Sequence, residues 1–230
     1  VIEFCSEARH RDYDLAYRGE TALGEQLPWD IPGPQPAFVD IERAGLIRGA
    51  VLDCGCGTGE NALFLASKGY AVTGVDLAPT AISRARQKSA ERAIDVAFAV
   101  ADALELAGYE ECFDTVVDSG MAHVFGSGEL PRYAAALHHA CRPDAVLFVL
   151  GIDEQHASGS RLSEAVSRLA EDEPGPGART LPMIDEDSLR EAFADGWTVG
   201  SIGEANMRAV LPHAGRDTVV PALLAQFVRV

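Results

Sequence analysis

A doubly wound α/β architecture is what this sequence predicts, and three observations carry the prediction. Short apolar runs alternate with segments of helical character from about residue 45 to residue 150. At one junction, Val51-Leu52-Asp53 is followed by glycines at 55, 57 and 59 and then by a helical stretch, so a tight turn joins a buried strand to a helix. The chain has 230 residues, enough for one well-buried unit and too few for two large ones.

Taken in order, residues 1–35 lack a clean period and are rich in Tyr, Arg, Gly and Pro. They read as an irregular arm with one helix around 11–17. A helix over 36–44 has Pro36 in its first turn, Phe38, Ile41 and Ala44 on one side and Gly45 to end it. Strand 51–53 leads through the glycines to helix 61–68, stopped by Gly69. Strand 71–76 leads to helix 79–92, which opens on Pro79 and has an Ala/Arg/Lys-rich body. Strands follow at 96–100 and 113–118, then helix 130–141 and strand 145–150. After Gly151 the rhythm breaks. An insertion at about 151–184 holds a helical pattern at 162–169 and a Glu-Pro-Gly-Pro-Gly loop at 173–177. Asp185 or Asp187 caps a helix ending near 194, and 197–202 and 223–228 read as the last strands. The expected organisation is an arm with its helix over 1–44 and an α/β unit over 45–230. There is no internal repeat.

Composition narrows the partners. The formal net charge is −16, from 19 Lys and Arg against 35 Asp and Glu, and no basic cluster interrupts it. Such a surface repels nucleic-acid phosphates and anionic membranes and favours solubility. The apolar run at 145–152 is far too short to span a bilayer, and Glu3, Glu7, Arg9 and His10 interrupt any leader-like core. The five cysteines are odd in number and irregularly spaced, which argues for a reducing, cytoplasmic setting. Cys54 and Cys56 occupy variable positions between the glycines, so no metal is expected there.

The glycine spacing is selective. A dinucleotide fingerprint needs Gly or Ala where Glu60 stands, and a Walker loop needs a Gly-Lys-Ser/Thr that is absent. Asp53 and Glu60 beside the loop suit a ligand carrying ammonium and sulfonium charges better than a pyrophosphate. This run, apolar-apolar-Asp-x-Gly-x-Gly-x-Gly, resembles the first motif of the class I S-adenosylmethionine-dependent methyltransferases, and the resemblance covers residues 45–150 well. It implies a Rossmann-like seven-stranded sheet of order 3-2-1-4-5-7-6 with the last strand antiparallel. It also implies S-adenosyl-L-methionine as cofactor, S-adenosyl-L-homocysteine as its product, and no metal.

Carried residue by residue, the resemblance makes Asp53, Gly55, Cys56, Gly57, Thr58 and Gly59 the cofactor loop. Asp76 accepts the ribose hydroxyls, with the capping of helix 79–92 as its alternative. Asp102 accepts the adenine amino group, Ala103 presents its amide to the ring, and Leu77 and Leu104 sandwich it; a solvated turn is the alternative for Asp102. Asp118, Ser119 and Gly120 meet the methionine part. His123, just beyond, is the expected base or substrate-orienting group, or else is hydrogen-bonded to cofactor or backbone. His138, His139, His156 and His213 have weaker claims, and His10 lies in the arm.

A second group of residues is Tyr17-Arg18-Gly19, Leu27-Pro28-Trp29-Asp30, Pro34-Gln35-Pro36 and Asp118-Ser119-Gly120-x-x-His123-Val124-Phe125. It resembles small-molecule methyltransferases related to thiopurine methyltransferase, and within them an actinobacterial branch acting on hydroxyquinolones and quinols. That resemblance implies an arm folded as a lid, with Trp29 and Gln35 near the ligand and Tyr17 near the acceptor; Trp29 as a mere anchor is the alternative. Met121, Phe125, Pro182 and Met207 would line an apolar pocket. The expected activity is methyl transfer to a small aromatic or heteroaromatic hydroxyl. A thiol, halide or ring-nitrogen acceptor stays open, as does a binding protein without turnover. A nucleic-acid methylase would carry Asn/Asp-Pro-Pro-aromatic at the fourth strand, which this chain lacks. Nothing in the sequence speaks to oligomeric state.

Overall fold

A computed structural model describes residues 13–21, 23–24, 26–157, 183–211 and 215–230. The expectations for residues 162–169 and 173–177, Pro182, His10 and His213 fall outside them. Residues 13–17 are helical. Then come α1 (Pro36–Arg43), β1 (Ala50–Cys54), α2 (Glu60–Ser67), β2 (Ala71–Asp76), α3 (Pro79–Arg92), β3 (Ala97–Val100) and β4 (Phe113–Ser119). After a 3-10 turn at Ala122–Val124 follow α4 (Leu130–Ala140), β5 (Cys141–Ile152), α5 (Glu154–Ala157), α6 (Glu186–Ala192), β6 (Trp197–Leu211) and β7 (Gly215–Arg229).

The strands form one seven-stranded sheet in the order β3-β2-β1-β4-β5-β7-β6. Neighbours from β3 to β5 are parallel, and β7 enters antiparallel between β5 and β6. Both the order and the reversed last strand agree with the expectation. One face packs Leu52, Val116, Leu147, Val149 and Phe227 against α4 and α6. The other packs Val51, Val117, Phe148 and Leu150 against α1, α2 and α3. Burial on both faces explains why the strands read as near-continuous apolar runs.

Two elements are longer than their sequence signal. β5 begins at Cys141, with an irregular step where Phe113 pairs Cys141 but Thr115 pairs Val146. Exposed Arg142, Pro143 and Asp144 hide that first stretch. β6 and β7 continue far past their apolar parts as a two-stranded ribbon, Gly203 pairing Leu224 and Ala209 pairing Thr218. Backbone pairing needs no apolar side chain, so the pattern stops before the strand does. Among the described residues no helix is long and apolar enough to cross a membrane.

Candidate active site

The glycine loop is the turn at the carboxyl end of β1. The Gly55 and Cys56 N–H groups both donate to the Val75 carbonyl at 2.9 Å, which pins the loop to β2. Gly57 has φ 52°, and a Cβ there would stand 2.8 Å from Tyr17 Oη. A Cβ at Gly55 would meet Met121 Sδ at 2.8 Å. The loop thus has the arm against one part and the turn after β4 against another.

Asp53 is buried at the end of β1. Its Oδ2 accepts the Ala62 N–H at 2.9 Å, one of the free donors of the first turn of α2. Its Oδ1 has no hydrogen-bond partner among the described residues. Burial, aided by the charges of Asp118 and Asp76, pushes its pKa up to about 7. An unmatched buried carboxylate oxygen calls for a donor, and a cationic one answers it best. The donor set therefore fits the ammonium end of S-adenosylmethionine.

Asp76 ends β2. Its Oδ2 accepts the Gly57 N–H at 2.8 Å and its Oδ1 the Ala78 N–H at 2.9 Å; burial raises its pKa. The free Thr80 N–H in the first turn of α3 is taken instead by Asp14 Oδ1 of the arm at 2.8 Å. A carboxylate offers about four lone-pair sites, so Asp76 keeps acceptor capacity for a ligand hydroxyl. Past β3, Asp102 Oδ1 accepts the Leu104 N–H at 2.9 Å and shapes that turn. Ala103 and Leu104 are buried, Leu104 within the core on the α4 side, while Leu77 is half-buried.

Glu60 corrects the electrostatic argument made from sequence. Its carboxylate accepts Lys88 Nζ at 2.8 Å and two Arg92 nitrogens at 2.8 Å each. Burial works against its charge, but these two cations hold its pKa low. The charge of Glu60 is thus matched by α3, and the acidity facing a ligand comes from Asp53 and Asp76. Lys88 also donates to Thr58 Oγ1 at 2.6 Å, and Thr58 donates to Asp30 Oδ1 at 2.6 Å. That chain ties the loop to both α3 and the arm.

At the end of β4, Asp118 accepts the Met121 N–H at 2.7 Å, the Ala122 N–H at 2.9 Å and the Tyr133 hydroxyl at 2.9 Å. Burial pushes its pKa up to about 7. Asp118 therefore moulds the turn from half-buried Ser119 to Ala122. His123 stands on that turn, its Nδ1 accepting the Ile152 N–H at 3.1 Å. Burial pushes its pKa down to about 4, so the ring is neutral and its proton sits on Nε2. Nε2 lies 3.3 Å, and Met207 Cε 3.6 Å, from where a Gly120 Cβ would be. His123 and buried Met207 converge on Gly120, while Phe125 packs on Tyr133 with ring centroids 4.9 Å apart.

The arm packs on both the glycine loop and β6. Tyr17 is buried against Gly57 at the cofactor loop, and the Trp29 indole N–H donates to its hydroxyl at 3.0 Å. Burial and the nearby Asp76 and Asp30 raise the Tyr17 pKa, so it stays a neutral phenol. Both ends of the Gln35 amide meet β6: Oε1 accepts the Arg208 N–H at 2.8 Å and Nε2 donates to the Arg208 carbonyl at 3.0 Å. The Gln35 N–H donates to Asn61 Oδ1 at 2.9 Å, and the Val210 N–H donates to the Pro28 carbonyl at 2.8 Å. Sequence reasoning gave no role to Asp14, Asp30, Lys88, Tyr133 or Arg208. The carboxylates flanking Tyr17 and Trp29 were the available signal for the first two. Surface hollows at the opposite, amino edge of the sheet, around Ala50, Ala71 and Asp95, hold none of these groups. No cluster of three metal-ligating side chains occurs among the described residues.

Comparison with known proteins agrees with this geometry. A family model described as a methyltransferase domain matches residues 51–144. The 2-heptyl-1-hydroxyquinolin-4(1H)-one methyltransferase of Mycobacteroides abscessus is 34% identical over 86% of this chain and 81% of its own. A probable thiol methyltransferase 2 of Arabidopsis thaliana is 29% identical over 57% of this chain and 59% of its own. A solved structure from work on the conversion of a disulfide bond into a thioacetal group during echinomycin biosynthesis is 50% identical. It covers 96% of this chain and 92% of that one, with a TM-score of 0.86. With its sheet order, its glycine loop between buried carboxylates and these relatives, the chain belongs to the class I S-adenosylmethionine-dependent methyltransferases.

Proposed function

We propose that this methyltransferase acts on a sulfur of a disulfide-bridged small molecule and yields a methylated thioacetal. The observation that carries this is the 50% identity, over nearly the whole of both chains, to the structure connected with disulfide-to-thioacetal conversion. The state of His123 supports it. A phenolic hydroxyl loses a proton on methylation and benefits from a base at the reacting atom. His123 offers an N–H there instead, because Ile152 occupies its other nitrogen. A disulfide sulfur has lone pairs and no proton, so it attacks without that help.

Bound at the loop, S-adenosylmethionine supplies a methyl group on a positively charged sulfur. The residues that hold it are Asp53 through its unmatched oxygen, the Gly55–Gly59 turn, Asp76 for the ribose, and Asp102 with Ala103 and Leu77 for the adenine. Tyr17 and Trp29 cover this end. Gly120 leaves room for in-line approach, His123 Nε2–H orients the acceptor, and Met121 and Met207 form a dry, polarizable wall. A disulfide sulfur that has gained the methyl is cationic, which acidifies its attached CH2. Loss of a proton from that carbon with cleavage of the S–S bond leaves a carbon doubly bonded to the methylated sulfur and a free thiolate. The thiolate adds to that carbon, so one methyl is gained and one proton lost overall.

A second reading, transfer to an aromatic hydroxyl, is favoured by the 34% identity to the hydroxyquinolone methyltransferase. Labelled cofactor with either the disulfide-bridged form of echinomycin or 2-heptyl-1-hydroxyquinolin-4(1H)-one separates the two. The expected product is heavier by one CH2 and resists reduction by dithiothreitol. An untouched disulfide beside a methylated hydroxyquinolone would establish the second reading.

A further inference from the structure

Both readings need a proton removed at the acceptor, and His123 is built to donate rather than accept. A second histidine stands at the same edge of the sheet. β5 ends at Ile152, and Asp153 follows it with a side chain that is 3% exposed. Asp153 Oδ1 accepts the Gln155 N–H at 2.8 Å, and Oδ2 lies 2.6 Å from His156 Nδ1. His156 itself is 53% exposed. Nδ1 donates to the buried carboxylate, so the lone pair of the neutral ring is on Nε2, at the half-exposed end of the side chain. This is the tautomer opposite to that of His123.

The position is set by the strand. A Cβ on Gly151 would lie 3.6 Å from His123 Cβ, so His123 packs against the Gly151 side of β5. Side chains two residues apart on a strand share a face, about 6.8 Å along it. Asp153 therefore continues the face that carries His123, one step beyond it toward the edge where the cofactor loop and Gly120 lie. Among the described residues, the groups facing His156 are Asp153 on its own segment and Glu204 of β6, whose carboxylate is 4.0 Å from Nε2. The hydrogen bond and charge of Asp153, with Glu204 adding, raise the His156 pKa.

We propose that His156, oriented by Asp153, is the base that takes the proton from the carbon beside the methylated sulfur. The C–H electron pair becomes the bond to that sulfur as the S–S bond breaks, the proton goes to His156 Nε2, and from there it passes to solvent. This rests on the sulfur-acceptor reading. Its alternative is local: a residue three positions after Asp153 reaching back to close the first turn of α5, a role that glutamine fills well.

The test uses the full chain with the disulfide substrate, following S-adenosylhomocysteine and thioacetal separately across pH. In H156A and H156Q the methyl transfer should persist while thioacetal formation falls by roughly 10²–10⁴-fold, the usual worth of a general base. The methylated disulfide should then be captured by added thiol as an S-methyl product. The acid limb of the wild-type pH–rate profile should vanish in both variants. Wild-type thioacetal rates with an unchanged profile in H156Q overturn the proposal and leave the turn-closing role. If wild type releases no S-adenosylhomocysteine with the disulfide, the acceptor reading has failed. The same variants with the hydroxyquinolone then decide, since losing a base there must slow methyl transfer itself, and unchanged transfer overturns the proposal.

Discussion

The two ends of the carboxyl edge are built in different ways. At the cofactor end the carboxylates ending the strands bond locally, Asp53 with Ala62 nine residues on, Asp76 with Gly57 nineteen back and Asp102 with Leu104 two on, while Thr58 and Thr80 reach Asp30 and Asp14 of the arm. Around the turn after β4 and the β6–β7 ribbon the ties to other segments are longer. Gln35 and Arg208 are 173 residues apart, and His123 is fixed by Ile152 twenty-nine residues away. A carboxylate held by its own strand–turn–helix unit is placed once that unit folds. A site made from the arm, the turn after β4 and the β6–β7 ribbon is set only when distant segments meet.

Substitutions can break that contrast, and they rank by expected effect. Asp76→Ala should weaken S-adenosylhomocysteine binding by ten- to a hundredfold, since hydrogen bonds to a charged group contribute about 1.5–3 kcal/mol each. Titration calorimetry reads it, and an unchanged affinity removes Asp76 from the ribose site. Gln35→Ala removes both hydrogen bonds that the side chain makes to the Arg208 N–H and carbonyl, at about 1–3 kcal/mol. It should lower the melting temperature and raise the acceptor KM while cofactor affinity holds. An equal fall in cofactor affinity would show that the two ends are not separable.

The pH dependence sharpens the cofactor end. The Asp53 pKa is raised from 3.8 to about 7, so the stability it contributes without ligand is present below its unfolded pKa and lost as pH rises through about 7. A cation at Oδ1 favours the charged form. Cofactor affinity should therefore climb from about pH 5 to 7, by at most about tenfold per unit, and then level off. Asp53→Asn should flatten this slope and Asp118→Asn should not, because three protein donors already hold Asp118. Smallest of all, Trp29→Phe removes one hydrogen bond to Tyr17 and should cost about 0.5–1.5 kcal/mol, seen as faster release of S-adenosylhomocysteine.

What was legible follows the same division. The glycine turn, Asp185 as a helix cap and the carboxylates ending β1 and β2 sit where the pattern puts them, because each depends on a few neighbouring residues, whereas the strand order, also met, came with the family resemblance and not with any periodicity. Glu60 was placed rightly beside the loop, but the two α3 cations that match its charge lie 28 and 32 residues on. Tyr17 and Gln35 belong to an arm without periodicity, so their partners at Gly57 and Arg208 could not be read from it. His123 was legible as a residue, whereas its tautomer depends on a backbone N–H of β5 that no side-chain pattern reveals.

The tie between arm and ribbon reaches beyond ligand binding. β6 is the outermost strand, and at 208–210 its outward-facing backbone groups are taken up by Gln35 and Pro28. An uncovered strand rim is a template for another polypeptide. Cutting the arm's hold, as Gln35→Ala does in part, would bare that margin, and self-association visible by light scattering should follow.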